Sequence, residues 1–328
     1  MKKTSILLAF VINTTIAISQ SISPEYSMLI KKADSLYQIK DYEKSAFAYS
    51  EAFKTIGWKG LSNDRYNAAC SWALSNNPDS AFFNLNRIAT KSNYSDLDHI
   101  KTDQDLTSLH SDNRWKLLID LIKQNKEKSE VNLNKPLAAQ LDSIFNDDQK
   151  YRKEISEIEN KYGWDSKEMQ DNWKIIQEKD SINLIKVCSI LDKYGWLGVD
   201  VIGQNGNNAL FLVIQHSDIT TQEKYLPMMR DAVKNGKANG SSLALLEDRV
   251  ALLQGKKQIY GSQIGRDTET QIHYVLPLDD PDNVDKRRAE VGLEPLANYV
   301  LRWQIKWDAE QYKKDLPDIE SKEKKRQK

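Results

Sequence analysis

Between residues 26 and 88 small and large apolar side chains recur at helical spacing, and they do so twice. Ala33, Leu36, Ser45, Tyr49 and Ala52 stand at the same offsets as Ala69, Trp72, Ala81, Leu85 and Ile88. Small residues let two helices approach and large ones fill the space between them. The pattern therefore predicts two helix pairs, with Asp41-Tyr42 and Asn77-Pro78-Asp79 in the turns. A third, degenerate unit spans Tyr94 to Ile122. Its segments Asp105-Leu106-Thr107-Ser108-Leu109 and Asp112-Asn113-Arg114-Trp115 are expected to cap the apolar end of the array.

Residues 123–136 (KQNKEKSEVNLNKP) lose the apolar period and read as a linker between the repeats at 24–122 and a second domain at 137–310. There, Leu137 to Tyr162 and Lys167 to Tyr194 carry apolar residues at three- and four-residue spacings. Trp173, Ile176, Leu184, Val187, Ile190 and Leu191 form a long stripe that ends at Gly195. Shorter helices are predicted over 207–217, 221–235 and 242–254, with Thr220 and Glu223 at capping-box spacing and Pro227 as a kink or start. After Gly255 the period changes. Residues 258–264 and 271–276 predict two strands, and 284–291 and 296–307 return to helix. The fold class expected is mostly α, helical hairpins followed by a helical domain with a small β-hairpin. Residues 311–328 read as a charged, solvated tail.

Composition adds an address and removes some partners. Lys2 and Lys3, the apolar run Ile6 to Ile18 and Ala17-Ile18-Ser19 predict a signal peptide over 1–19, hence a periplasmic or secreted product. That run is too short and polar for a span of about 20 residues, and no later segment is long enough, so no membrane span is expected. Lys+Arg and Asp+Glu both number 47, which gives no basic excess of the kind nucleic acid calls for. Cys70 and Cys188 lie far apart in helix-like contexts and read as two separate buried thiols.

The first units resemble the tetratricopeptide repeat, with a longer period and Ser45 at its usual Ala position. Further on, Tyr194-Gly195-Trp196, Gly203, Ala209, Gln215-His216, Gln222, Leu226, Leu246, Asp248-Arg249, Gly255, Gln258, Tyr260-Gly261 and Gln263 resemble a bacterial domain known as domain of unknown function 6624. The likeness runs from about Asn132 to Tyr299, and Ser262 replaces the Thr of its usual Tyr-Gly-Thr-Gln. The resemblance implies a domain and carries no activity.

Candidate chemistry gathers between residues 195 and 263. His216 ends a helix predicted to be apolar all round, and Asp248-Arg249 interrupts the run from Leu243 to Leu253. An unpaired buried charge costs several kcal/mol, so Gln215, His216, Asp248 and Arg249 are expected to share one hydrogen-bonded network, with Tyr260 and Gln263 as further partners. Two readings stand. The network fixes how helices and hairpin meet, or it lines a pocket where His216 is acid or base, Arg249 holds an anion, and Tyr260 and Gln263 orient a ligand. Gly203-Gln204-Asn205-Gly206 lacks the Lys-Ser/Thr ending of a phosphate loop and predicts a turn and helix cap. No metal or cofactor motif is recognisable. The leading functional expectation is an exported, non-catalytic interaction or ligand-binding protein, whose repeats contact another envelope or extracellular protein or act as a spacer and whose second domain binds an unidentified ligand or partner; the competing one is an envelope-directed hydrolase around His216 and Arg249.

Overall fold

The computed structural model describes residues 23–267 and 270–326; the expected signal peptide at 1–19 lies outside the described residues. The predicted helix pairs are present. Helices α1 (Pro24–Gln38) and α2 (Tyr42–Thr55) form one hairpin, and α3 (Ser62–Leu74) and α4 (Pro78–Lys91) the next. Asp41 and Asn77 are N-caps whose side chains accept from Lys44 and Ser80 N–H, so both turns carry their own helix-start signal. Ala33, Ser45, Ala52, Ala69 and Ala81 are fully buried at the crossings. Ser45 Oγ donates to the Ala33 carbonyl (2.9 Å) and lies 3.1 Å from Ser71 Oγ, so a hydroxyl at this crossing finds partners in both hairpins.

The third unit closes the stack. Helices α5 (Leu97–Thr102) and α6 (Asn113–Ser129) flank a 3₁₀ turn, and Leu106, Leu109, Leu118 and Ile122 complete the core begun by α3 and α4. Helix α6 continues through the first seven residues of the expected linker. The reason is Asn125, buried, whose amide donates to the Ala89 and Tyr94 carbonyls and ties that turn to the array. Only residues 130–134 separate α6 from the next helix.

Helices α7 (Lys135–Tyr162) and α8 (Lys167–Tyr194) form a long antiparallel pair. Across it lies α9 (Val199–His216), bent at Gly203, whose φ of 72° gives the turn expected there. Helices α10 (Ile219–Lys234) and α11 (Gly240–Leu253) complete the main core, around Leu141, Ile144, Val187, Ile214, Met229 and Leu246. The cap of α10 is Asp218, which accepts from Thr221 N–H at 2.8 Å, in place of the predicted Thr220; Pro227 is accommodated inside the helix.

The predicted strands shorten to β1 (Ile264–Arg266) and β2 (His273–Val275), an antiparallel pair. Residues 259–263 leave the strand because the N–H groups of Ile259, Tyr260 and Ser262 turn inward to Asp248 and that of Gln263 to Gln258 Oε1. Helices α12 (Val284–Glu290), α13 (Leu296–Val300) and α14 (Ala309–Arg326) pack a second core with the hairpin, centred on Val275, Leu278, Val284, Leu296 and Val300. The expected solvated tail is therefore a docked helix. Tyr312 is buried, donates to the Leu276 carbonyl (2.9 Å) and accepts from Leu278 N–H (2.7 Å), while Leu316 and Ile319 pack on the same core. Sparse anchors on a charged helix were enough. Tyr312→Ala is expected to destabilise the protein by about 3 kcal/mol, read by urea denaturation; an unchanged midpoint would restore the picture of a free tail.

Candidate functional site

The carboxyl end of α9 sets the geometry. The last carbonyls of a helix have no intrahelical donor, and this end carries the negative pole of the helix dipole. Gln215 is buried, and its carbonyl accepts from Arg249 Nη1 (2.7 Å) and Gln222 Nε2 (3.1 Å). Gln222, fully buried, also donates to the Ser217 carbonyl at 2.8 Å. A guanidinium and an amide from two other helices thus finish α9.

Arg249 has more to give than this capping uses. Its Nε donates to Gln263 Oε1 at 3.4 Å, Nη2 bonds no described residue, and no carboxylate lies within ion-pair distance among the described residues. Burial, then the nearby charge of Arg152, pulls the guanidinium below its ordinary value. Within the shared network expected of Gln215, His216, Asp248 and Arg249, Arg249 does not bond Asp248 directly. Asp248 points to the other side of α11, where Oδ1 accepts from Ile259 N–H (2.6 Å) and Tyr260 N–H (2.9 Å), and Oδ2 from Ser262 N–H (2.9 Å). Adjacent helix residues project about 100° apart, so neighbours in sequence serve different partners. Burial outweighs those donors and leaves the Asp248 carboxyl raised.

His216 also finds another partner. Its Nδ1 lies 2.9 Å from Oδ1 of Asp148, a carboxylate on α7 that is 1% exposed. Arg152, one turn on, reaches Asp148 at 3.4 Å and Asp180 on α8 at 2.7 Å; Gln149 donates to Asp148 Oδ2. Burial opposes ionisation of Asp148, but the His216 hydrogen bond and charge, with help from Arg152 and Gln149, outweigh it and hold the carboxyl below its usual range. No described residue bonds His216 Nε2, and the side chain borders a cleft of about 340 Å³ with Asp180, Ser181, Leu184 and Val213. A second cleft, about 470 Å³, is bordered by Arg249, Gln222 and Gln263. Ser217 and Asp218 belong to both, so the two clefts meet at the end of α9.

Of the six residues singled out, Arg249 contacts both Gln215 and Gln263, and His216 adjoins Gln215 through the chain. Tyr260 is placed elsewhere: its N–H meets Asp248 and its carbonyl accepts from Arg288 Nη1 at 2.6 Å, so its backbone builds the turn. Sequence reasoning passed over Asp148, Arg152, Asp180 and the fully buried Arg288, and named Gln222 only in the family pattern. One signal was there. Leu137, Leu141, Ile144 and Asp148 share the apolar stripe of α7, and a carboxylate on such a stripe needs a buried partner.

Two groups hold donor atoms within 4.8 Å of one another, as a cation site would: Asp148, Asp180 and His216, and Cys70, Asp103 and Asp105. In the first, Arg152 already supplies the positive charge. In the second, the carboxylates accept from Tyr37, Tyr66 and the Cys70 thiol, whose ionisation burial opposes. Cys70 and Cys188 are free thiols in separate cores, Cys188 only partly buried.

Two stability predictions arise. Asp248→Ala leaves three N–H groups, the buried one of Ser262 among them, without their acceptor and is expected to cost about 2 kcal/mol or more; denaturation indistinguishable from wild type would show the turn to be independent of it. Asp148 is depressed on folding, so its contribution is present above the unperturbed value of 3.8 and lost as pH falls through the lower folded value. Asp148→Asn should thus be less stable than wild type near neutral pH, with a gap that narrows below about pH 4. Denaturant midpoints across that range measure it; a constant gap would contradict the linkage.

No curated protein and no solved structure matches the chain. A family model does: residues 136–311, α7 through the start of α14, match the family of unknown function DUF6624.

Proposed function

The chain belongs to the DUF6624 family, whose description names no activity, and from the geometry we propose a binding protein that takes a small anionic ligand in the cleft beside Arg249. The observation that carries this is a guanidinium drawn down by burial, with Nη2 uncommitted and no carboxylate partner among the described residues. A partly buried cation without a counter-ion carries a desolvation cost, and a ligand carboxylate or phosphate offsets that cost with charge-assisted hydrogen bonds. Gln222 and Gln263 border the same cleft and give it polar walls. The helical hairpins before α7 serve as spacer or contact surface toward an envelope or extracellular protein. Export itself is read from the basic and apolar start of the sequence.

The His216–Asp148 pair favours a second reading, an envelope-directed hydrolase. A histidine whose Nδ1 is held by a buried carboxylate presents Nε2 as an acid or base. If so, His216→Gln lowers turnover of an ester probe such as p-nitrophenyl acetate by about a hundredfold or more; an unchanged rate removes this reading.

For binding, acetate and inorganic phosphate titrated into the full chain should move NMR signals around Arg249 and Gln263. Arg249→Gln should abolish that response, and Arg249→Lys should weaken it by losing the fork while keeping the charge. Shifts that persist in Arg249→Gln would refute the assignment. His216→Ala that abolishes the affinity without lowering the melting temperature would also contradict a purely architectural network.

A further inference from the structure

The walls of the Arg249 cleft define the rest of its ligand. Beyond its five polar residues, Ser217, Asp218, Gln222, Arg249 and Gln263, the cleft is bordered by Ile219, Leu252, Leu253, Ile264 and Leu276. Leu252, Leu253 and Leu276 also border a further cleft of about 260 Å³ that continues toward α14. A helix end normally turns such residues into a core, yet Leu253 is 55% exposed and packs in none of the apolar clusters. The far end is polar, where Lys257 pairs with Glu320 at 2.9 Å. Asp218 also borders the cleft, its Oδ1 accepting from Thr221 N–H as the cap of α10. Among the described residues that border this cleft Arg249 is the one cation, and it stands at the head of an apolar trough.

Resting on the anion reading above, we propose that this trough takes an amphiphilic carboxylate, its head on Arg249 and its apolar chain along Leu252, Leu253, Ile264 and Leu276. Charge complementarity fixes the head: Nη2 donates to a carboxylate oxygen, and a neutral or cationic head leaves the guanidinium unpaired. The chain gains by leaving water against leucine and isoleucine side chains, in proportion to the apolar area it covers. Such a carboxylate comes from a fatty acid or from an acylated or peptide-terminal apolar amino acid. The chemistry recognised is the same.

Calorimetry on the full chain separates the parts, with acetate, butyrate, octanoate, N-acetylleucine and octylamine as probes. Octanoate or N-acetylleucine should bind at least about tenfold more tightly than acetate, with butyrate between, and the tighter of the two identifies the source. Arg249→Gln should remove carboxylate binding, and octylamine should not bind. Leu253→Ser, an exposed substitution that should spare the fold, should shrink the gain in affinity from acetate to octanoate. Equal affinities for acetate and octanoate, both lost in Arg249→Gln, would overturn the amphiphile and leave the anion site standing. No binding of any carboxylate would overturn both. Octanoate binding that survives Arg249→Gln, or is matched by octylamine, would overturn the head-group assignment.

Discussion

A buried helix end must find donors for carbonyls that the helix itself leaves unpaired, and the end of α9 has been given donors that carry charge. Arg249 and Gln222 finish the Gln215 carbonyl, while His216, the last residue of the helix, turns to a carboxylate on α7. The Arg249 guanidinium stands where the helix dipole is negative. That placement explains how Arg249 is tolerated out of water without a carboxylate: a backbone dipole and a glutamine oxygen hold it partly, and what remains of its bonding capacity faces the cleft.

Helix α11 carries this arrangement because its two neighbouring charged residues do separate jobs. Asp248 gathers three N–H groups of the 259–262 turn and so fixes the segment leading into β1. Gln258 reinforces it, its amide donating to the Gln263 and Leu276 carbonyls and its Oε1 accepting from Gln263 N–H. On the outer side Arg288 donates to the Tyr260 carbonyl, with its guanidinium over the Tyr299 ring. A turn held from both sides presents Gln263 to Arg249 at a set position. The hairpin, small as it is, gains its stability from these side chains and from Tyr312 rather than from its short ladder.

What the sequence disclosed follows the range of the interactions involved. The helix pairs and the α7–α8 pair were legible because their apolar periods and caps are local, and the polar breaks at Gln215-His216 and Asp248-Arg249 marked the right helices. Their partners were less legible. Asp148 lies 68 positions from His216, and sequence adjacency pointed Arg249 at Asp248 although the helix turns them apart. Helix α14 read as solvated because three anchors, Tyr312, Leu316 and Ile319, are few among its charges. Arg288 was hidden by its charge, its hydrogen bonds going to the backbone carbonyls of Glu294, six residues on, and of Tyr260 in the turn before β1.

The side-chain nitrogen resonances of Arg249 test the central claim most directly, since they report on the guanidinium itself. Octanoate added to the labelled full chain should shift the Arg249 Nε and Nη signals and slow exchange of their protons, with smaller changes at Arg152. If those signals stay unmoved at saturating octanoate, or Arg152 and Arg288 respond as strongly, the guanidinium at the end of α9 is only a helix cap.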